Sequence, residues 1–169
     1  MSRGADGKAG TGPRAGGDPG ARPVPGDFGF VQEVDVRFRD LDPMGHAHHS
    51  LPLVYWEESR ARYWREVAGR DTVAAIDYVM GEFTLRWHRR ILYPARLRAG
   101  VRVTRLGRSS FDMEYGLWDA EGALLSSGRS TQVLFDYAAG RSRPLDDETR
   151  RRIEAHEGRP LSGRPAPGP

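Results

Sequence analysis

The chain has no cysteine. That absence excludes a disulfide framework, a thiolate metal site and a cysteine nucleophile, and nothing calls for an oxidising compartment. Long apolar runs are missing too. No stretch approaches the roughly 20 residues needed to span a bilayer, and the first 27 residues lack the apolar core of a signal peptide. No membrane partner and a cytoplasmic location are therefore expected. Lopsided charge is also lacking. The 26 basic residues, nearly all arginine, are almost balanced by 23 acidic ones, leaving a net charge of +3 and a pI of about 9.6. Such a surface can suit phosphate-bearing partners. No block of five or six cations occurs, however, and the arginines alternate with apolar residues. Solvated strand faces are the expected outcome, and nucleic acid is not an expected partner.

What is present fits one domain with a good core in 169 residues. The 21 glycines and 12 prolines are concentrated at the two ends. Residues 1–27 hold almost nothing to bury and cannot offset their ordering entropy, so they are expected to be a disordered tail, as are residues 159–169. The folded domain is expected over 28–158.

Periodicity supplies the elements. Phe30, Val34, Val36 and Phe38 fall on one face of a first half-buried strand. Ser50 can cap a helix of about 18 residues, with Pro52 in its first turn, Leu53, Trp56, Tyr63, Trp64 and Val67 at helical spacing, and Gly69 at its end. Core packing is the expected role of that aromatic stripe. Strands follow over 77–87, 96–106, 111–118 and 123–136, with turns at 107–110 and 119–122, and a bulge, bend or edge at Pro94. A short helix over 149–156 ends before Gly158. Strand, long helix, then antiparallel strands is an α+β order in which a curved sheet wraps one helix.

The stretch Arg39-Asp40-Leu41-Asp42-Pro43-Met44-Gly45-His46, continued by Tyr55-Trp56-Glu57-Glu58-Ser59-Arg60, resembles the D-x-x-G turn and Y-x-E-x-A-R helix of the hotdog-fold acyl-CoA thioesterases of the 4-hydroxybenzoyl-CoA and Tol-Pal-associated type. Gly107-Arg108-Ser109-Ser110-Phe111 resembles a loop of the same family, and the likeness covers about residues 30–158. The resemblance implies a hotdog fold, hydrolysis of an acyl-CoA thioester without a cofactor, and a homodimer or dimer of dimers (a homotetramer) with sites between subunits. It puts Asp42 in the place of the catalytic aspartate, as nucleophile or as base for a water, and His49 in that of a supporting histidine whose N–H polarises the thioester carbonyl. Phe38 stands where the Tol-Pal-type enzymes carry tyrosine. Phe38, Gly45, His46, Arg108 and Ser109 become expected substrate contacts.

The residues themselves carry compatible chemistry. Thioester hydrolysis needs an attacking group or activated water, and donors for the developing oxyanion. Asp42 offers the first, and the N-terminal amides of the Ser50 helix, near His49, offer the second. The alternative for Asp42 is a turn carboxylate bonding nearby amides; for His49, a polar residue at a helix start. Glu57 is either a further catalytic carboxylate or the partner of Arg60 in an ion pair. The spacing of His46, His48, His49 and His88 matches no metal motif, so no metal is expected. Arg108 is the first candidate for the CoA phosphates, ahead of Arg86, Arg89, Arg90 and Arg141. An acyl-carrier-protein thioesterase and a catalytically silent acyl-CoA-binding module are the competing functions.

Overall fold

The computed structural model describes residues 22–70 and 76–161. Along β4 (Ser110–Trp118), Phe111, Met113, Tyr115 and Leu117 are fully buried on one face, and β3 (Arg96–Leu106) buries Leu97, Ala99, Val101 and Val103 in the same alternation. With β1 (Phe30–Asp35), β2 (Tyr78–Trp87) and β5 (Leu124–Asp136) they form an antiparallel sheet in the order β1-β3-β4-β5-β2, and the two-residue β6 (Arg141–Ser142) pairs with β5. Helix α1 (Leu51–Glu66) lies against the buried face, and α2 (Asp147–Glu157) rests on β3. This is the α+β hotdog arrangement expected, a curved antiparallel sheet around one long helix.

The aromatic stripe of α1 is core. Trp64 stacks on Phe111 with ring centroids 4.6 Å apart, and Trp56 forms a three-ring cluster with Phe83 and Tyr115. Each buried polar tip finds a partner: Trp56 Nε1 donates to the Gly116 carbonyl, Trp64 Nε1 to Asp77, and the Tyr63 hydroxyl to Glu157. Leu53 departs from expectation and is exposed, because the buried face runs instead through Pro52, Tyr55, Trp56, Ser59 and Arg60.

Other expectations are corrected in detail. β1 ends at Asp35, so Phe38 is not on its core face. The chain turns there into a 3₁₀ turn over Phe38–Asp40, held by the Asp40 carboxylate on the Arg37 amide. α1 has 16 residues, and Ser50 precedes it without a side-chain cap, its hydroxyl bonding His48 Nδ1 instead. Described residues also flank 28–158 on both sides. A 3₁₀ turn over Pro25–Asp27 lies on the outer sheet face, where Trp118 Nε1 donates to the Pro23 carbonyl and Phe28 meets the indole edge-on at 5.2 Å. Leu161 is buried and its carbonyl accepts from Leu106 N. Apolar contacts and backbone hydrogen bonds thus hold the inner ends of both expected tails; residues 1–21 and 162–169 lie outside the described residues.

The arginines of the outer face depart from the solvated pattern expected: Arg102 and Arg105 are largely buried in ion pairs, and of these three only Arg129 is well exposed. Arg102 and Arg129 flank Glu114 across three strands at 2.6 and 3.0 Å, and Arg105 meets Asp112 at 2.6 Å. Strand register then defines two ends of the molecule. Asp35 pairs with Arg96, Arg98 with Trp118, and Trp87 with Ser126, so the exit of β1, the start of β3 and the end of β2 share one end. The 107–110 turn and α2 lie at the other.

Candidate active site

The exit of β1 leads into a hairpin closed by a bridge between Leu41 and Ala47, with Asp42-Pro43-Met44-Gly45-His46 at its tip. Asp42 N donates to the His46 carbonyl at 2.8 Å and Gly45 N to the Asp42 carbonyl at 3.0 Å. Gly45 sits at φ +76°, a left-handed conformation that glycine adopts without the steric cost of a side chain. The Asp42 carboxylate is half-buried. Its Oδ1 accepts from Met44 N at 2.9 Å and His46 N at 3.3 Å, while Oδ2 has no hydrogen-bond partner among the described residues. One oxygen thus serves the turn, as the structural alternative requires, and the other is free for chemistry.

The amides at the start of α1 are mostly occupied. Ser50 N donates to His48 Nδ1, Leu51 N to the His48 carbonyl and Leu53 N to the Ser50 carbonyl, while Pro52 has none. Only the His49 N–H has no partner among the described residues of this turn, so the set of expected oxyanion donors narrows to one. The His49 ring lies tilted against His48 at 3.9 Å and meets Trp87 edge-on at 6.4 Å, and no hydrogen bond joins it to Asp42 among the described residues.

Of the other expected residues, Phe38 is 75% exposed and meets Tyr93 edge-on at 6.0 Å. His46 contributes its backbone to the Asp42 turn. Glu57 is exposed, about 9 Å along the helix from its start at 1.5 Å per residue, and makes no pair with Arg60. The expected i,i+3 ion pair fails because Arg60 points inward. It is 6% exposed, 3.4 Å from the Tyr115 hydroxyl and over the Tyr78 ring. Arg108 and Ser109 lie in the turn after β3, roughly 30 Å from the Asp42 end at about 3.3 Å per strand residue. Their carbonyls accept from Leu145 N and Leu134 N. A single chain does not bring them to Asp42. The exposed Arg86, Arg89 and Arg90, at the end of β2, do share its end.

Three features around the candidate site escaped the sequence: the exposed Trp87, the exposed Leu92 and Tyr93, and the buried Asp40 behind the turn. Only Asp40 had a local signal, as the first carboxylate of the Asp40-Leu41-Asp42 pair. Burial pushes its carboxyl up, but hydrogen bonds from Arg37 and the Tyr55 hydroxyl outweigh this and hold it below the usual carboxylate range. No group of three or more histidine, aspartate or glutamate side chains converges on a possible metal position among the described residues. A cleft of about 390 Å³ between β1 and the C-terminal half of α1, lined by Gln32, Glu58, Arg62 and Arg65, contains none of the expected site residues.

Residues 36–153 match the sequence profile of the thioesterase-like superfamily. The chain belongs to this superfamily. A thioesterase from Thermus thermophilus, solved with coenzyme A and Zn, is 36% identical over 79% of this chain and 98% of its own, with a TM-score of 0.71. The uncharacterised protein YsmA of Bacillus subtilis is 26% identical over 72% of this chain and 82% of its own. A 1,4-dihydroxy-2-naphthoyl-CoA thioesterase from Synechocystis, at 16% identity and a TM-score of 0.65, covers 73% of this chain and 94% of its own and shares the fold. This thioesterase-like protein is accordingly a thioester hydrolase of the hotdog fold. Among its described residues no helix is long and apolar enough to cross a membrane.

Proposed function

We propose that this thioesterase hydrolyses an acyl-CoA to the free acid and CoA, with Asp42 as the reacting carboxylate and the His49 N–H as oxyanion donor. The observation that carries this is Asp42 Oδ2 on the hairpin that leads directly into the His49 amide, both without a hydrogen-bond partner among the described residues. The carboxylate attacks the thioester carbonyl and displaces the CoA thiolate, leaving an anhydride that water then hydrolyses, or it takes a proton from a water whose attack breaks the C–S bond, and the proton passes to the departing thiolate. The N–H, at the positive end of the α1 dipole, stabilises the oxygen that gains charge. The CoA bound to the Thermus relative supports the choice of thiol. Arg86, Arg89 and Arg90 lie at the right end to meet its phosphates.

A site so open needs a second wall. Phe38, Met44, Trp87, Leu92 and Tyr93 are all exposed around it. We therefore propose that two copies pair along the free edge of β2, with Arg108 and Ser109 reaching a site only from another subunit. The same arginines suit an acidic carrier domain, so acyl-carrier-protein substrates belong in the test. Thiol release from a panel of acyl-CoAs and acyl-carrier proteins should be measurable for at least one donor, and Asp42→Asn should lower kcat by about 10²–10⁴-fold, the usual worth of a positioned base. Undiminished turnover by the variant would exclude Asp42 from the chemistry.

A further inference from the structure

Asp42 sits at the tip of an exposed turn, and among the described residues its bonds are to that turn alone. A reacting carboxylate must nevertheless be held within a fraction of an ångström of its target, because displacement of about 1 Å can cost about 10²-fold in rate. The base of the hairpin supplies the missing restraint. Asp40 is 5% exposed. Its Oδ2 accepts from the Arg37 amide and from the Tyr55 hydroxyl, each at 2.9 Å, and Arg37 Nε lies 3.1 Å from both oxygens. Its main chain is tied as well: Asp40 N donates to the Arg37 carbonyl, and the Asp40 carbonyl accepts from His48 N at 2.8 Å.

We propose that Asp40 is a positioning residue of the thioesterase site, one buried carboxylate that fixes the Asp42 turn relative to the start of α1 and thereby the separation of attacking group and oxyanion donor. This rests on the reading of Asp42 and His49 above. Asp40 is two residues before Asp42, His48 is one before His49, and Tyr55 is on the buried face of α1 one turn further in. A slide or rotation of α1 that carried the His49 amide away from Asp42 would have to break the Tyr55 bond. Arg37, at the exit of β1, ties the same carboxylate to the sheet.

The molecule provides its own control. At the opposite end Glu157, also buried, accepts from the Tyr63 hydroxyl at 2.6 Å and from Val103 N at 2.9 Å, joining α2 to α1 and β3 by the same chemistry, far from the turn. Tyr55→Phe and Tyr63→Phe each remove one hydroxyl bond to a buried carboxylate. If both bonds merely stabilise the fold, both variants melt lower and turn over alike.

The test is steady-state thiol release by full-length enzyme, with melting temperature measured in parallel. Tyr55→Phe should lower kcat about ten-fold and Asp40→Ala about 100-fold, with KM within about two-fold of wild type. Asp40→Asn, which keeps an acceptor oxygen for Tyr55 and the Arg37 amide, should recover most of the loss, and Tyr63→Phe should melt lower at unchanged kcat. Wild-type kcat in folded Tyr55→Phe, a loss confined to KM, or an equal loss in Tyr63→Phe overturns the proposal; Tyr55→Phe decides the matter if Asp40→Ala does not fold. Asp42→Asn is assayed alongside. If it is inactive while the Asp40 and Tyr55 variants turn over normally, only the positioning role fails, whereas full activity in Asp42→Asn removes both readings.

Discussion

Gly116 shows how closely single residues are fitted. It lies on β4 opposite Gly100 of β3, and the Trp118 indole lies flat across both. A Cβ at Gly116 would fall 2.1 Å from the indole, and one at Gly100 2.8 Å. The ring cannot yield outward, because Phe28 and the Pro23 carbonyl cover it. Gly116→Ala should therefore destabilise the domain by about 1–3 kcal/mol, the usual cost of overpacking, read as a lower midpoint in urea. Thiol release below the transition should persist, since neither Gly116 nor Trp118 is among the proposed site residues.

Among the elements, α2 depends on its first residues. Its N-cap, Asp146, accepts from Thr149 N at 2.8 Å and from the Thr149 hydroxyl at 2.9 Å, and pairs with Arg70 at 3.0 Å. Partial burial pushes the Asp146 carboxyl up, but these bonds outweigh it and bring it down to about 2. A depressed carboxyl contributes stability that is present above its unfolded pKa of about 4 and is lost as pH falls through its folded value. Asp146→Ala should thus cost about 0.5–2 kcal/mol at neutral pH, and the gap from wild type in denaturant titrations should close between about pH 4 and pH 2. Elements of this kind were legible where local pattern and tertiary packing agree. β3 and β4 follow their alternation almost to the residue, and the acids before α2 mark its start. β1 was overextended because Val36 and Phe38 continue the alternation, while the turn that ends it depends on Asp40. The Asp42 turn could be seen through its Pro43, Gly45 and neighbouring motif. The Asp40–Tyr55 bond could not, since no local signal announces a contact between residues fifteen apart. Likewise the position of Arg108, opposite Asp42, is a matter of strand register.

For the molecule as a whole, the open edges of the sheet among the described residues are β1 and β2. β2 offers ten residues, with Met80 and Trp87 exposed along it, and an unpaired edge of this length invites another strand. On the proposed assembly, sedimentation of the wild type gives at least a dimer. Met80→Asp, which would put two like charges near the pairing line, should shift it toward monomer and lower kcat with it. A wild-type monomer that turns over normally would leave the site complete within one chain and the role of Arg108 without basis. The four tryptophans make such questions optically accessible. Trp56, Trp64 and Trp118 are fully buried, whereas Trp87 is half exposed and meets His49 edge-on. Acrylamide in the solvent therefore meets one indole directly, the one beside the proposed catalytic turn. The enzyme carries an intrinsic fluorescent reporter at its proposed site, and ligand arrival or the proposed pairing of subunits can be followed there without a label.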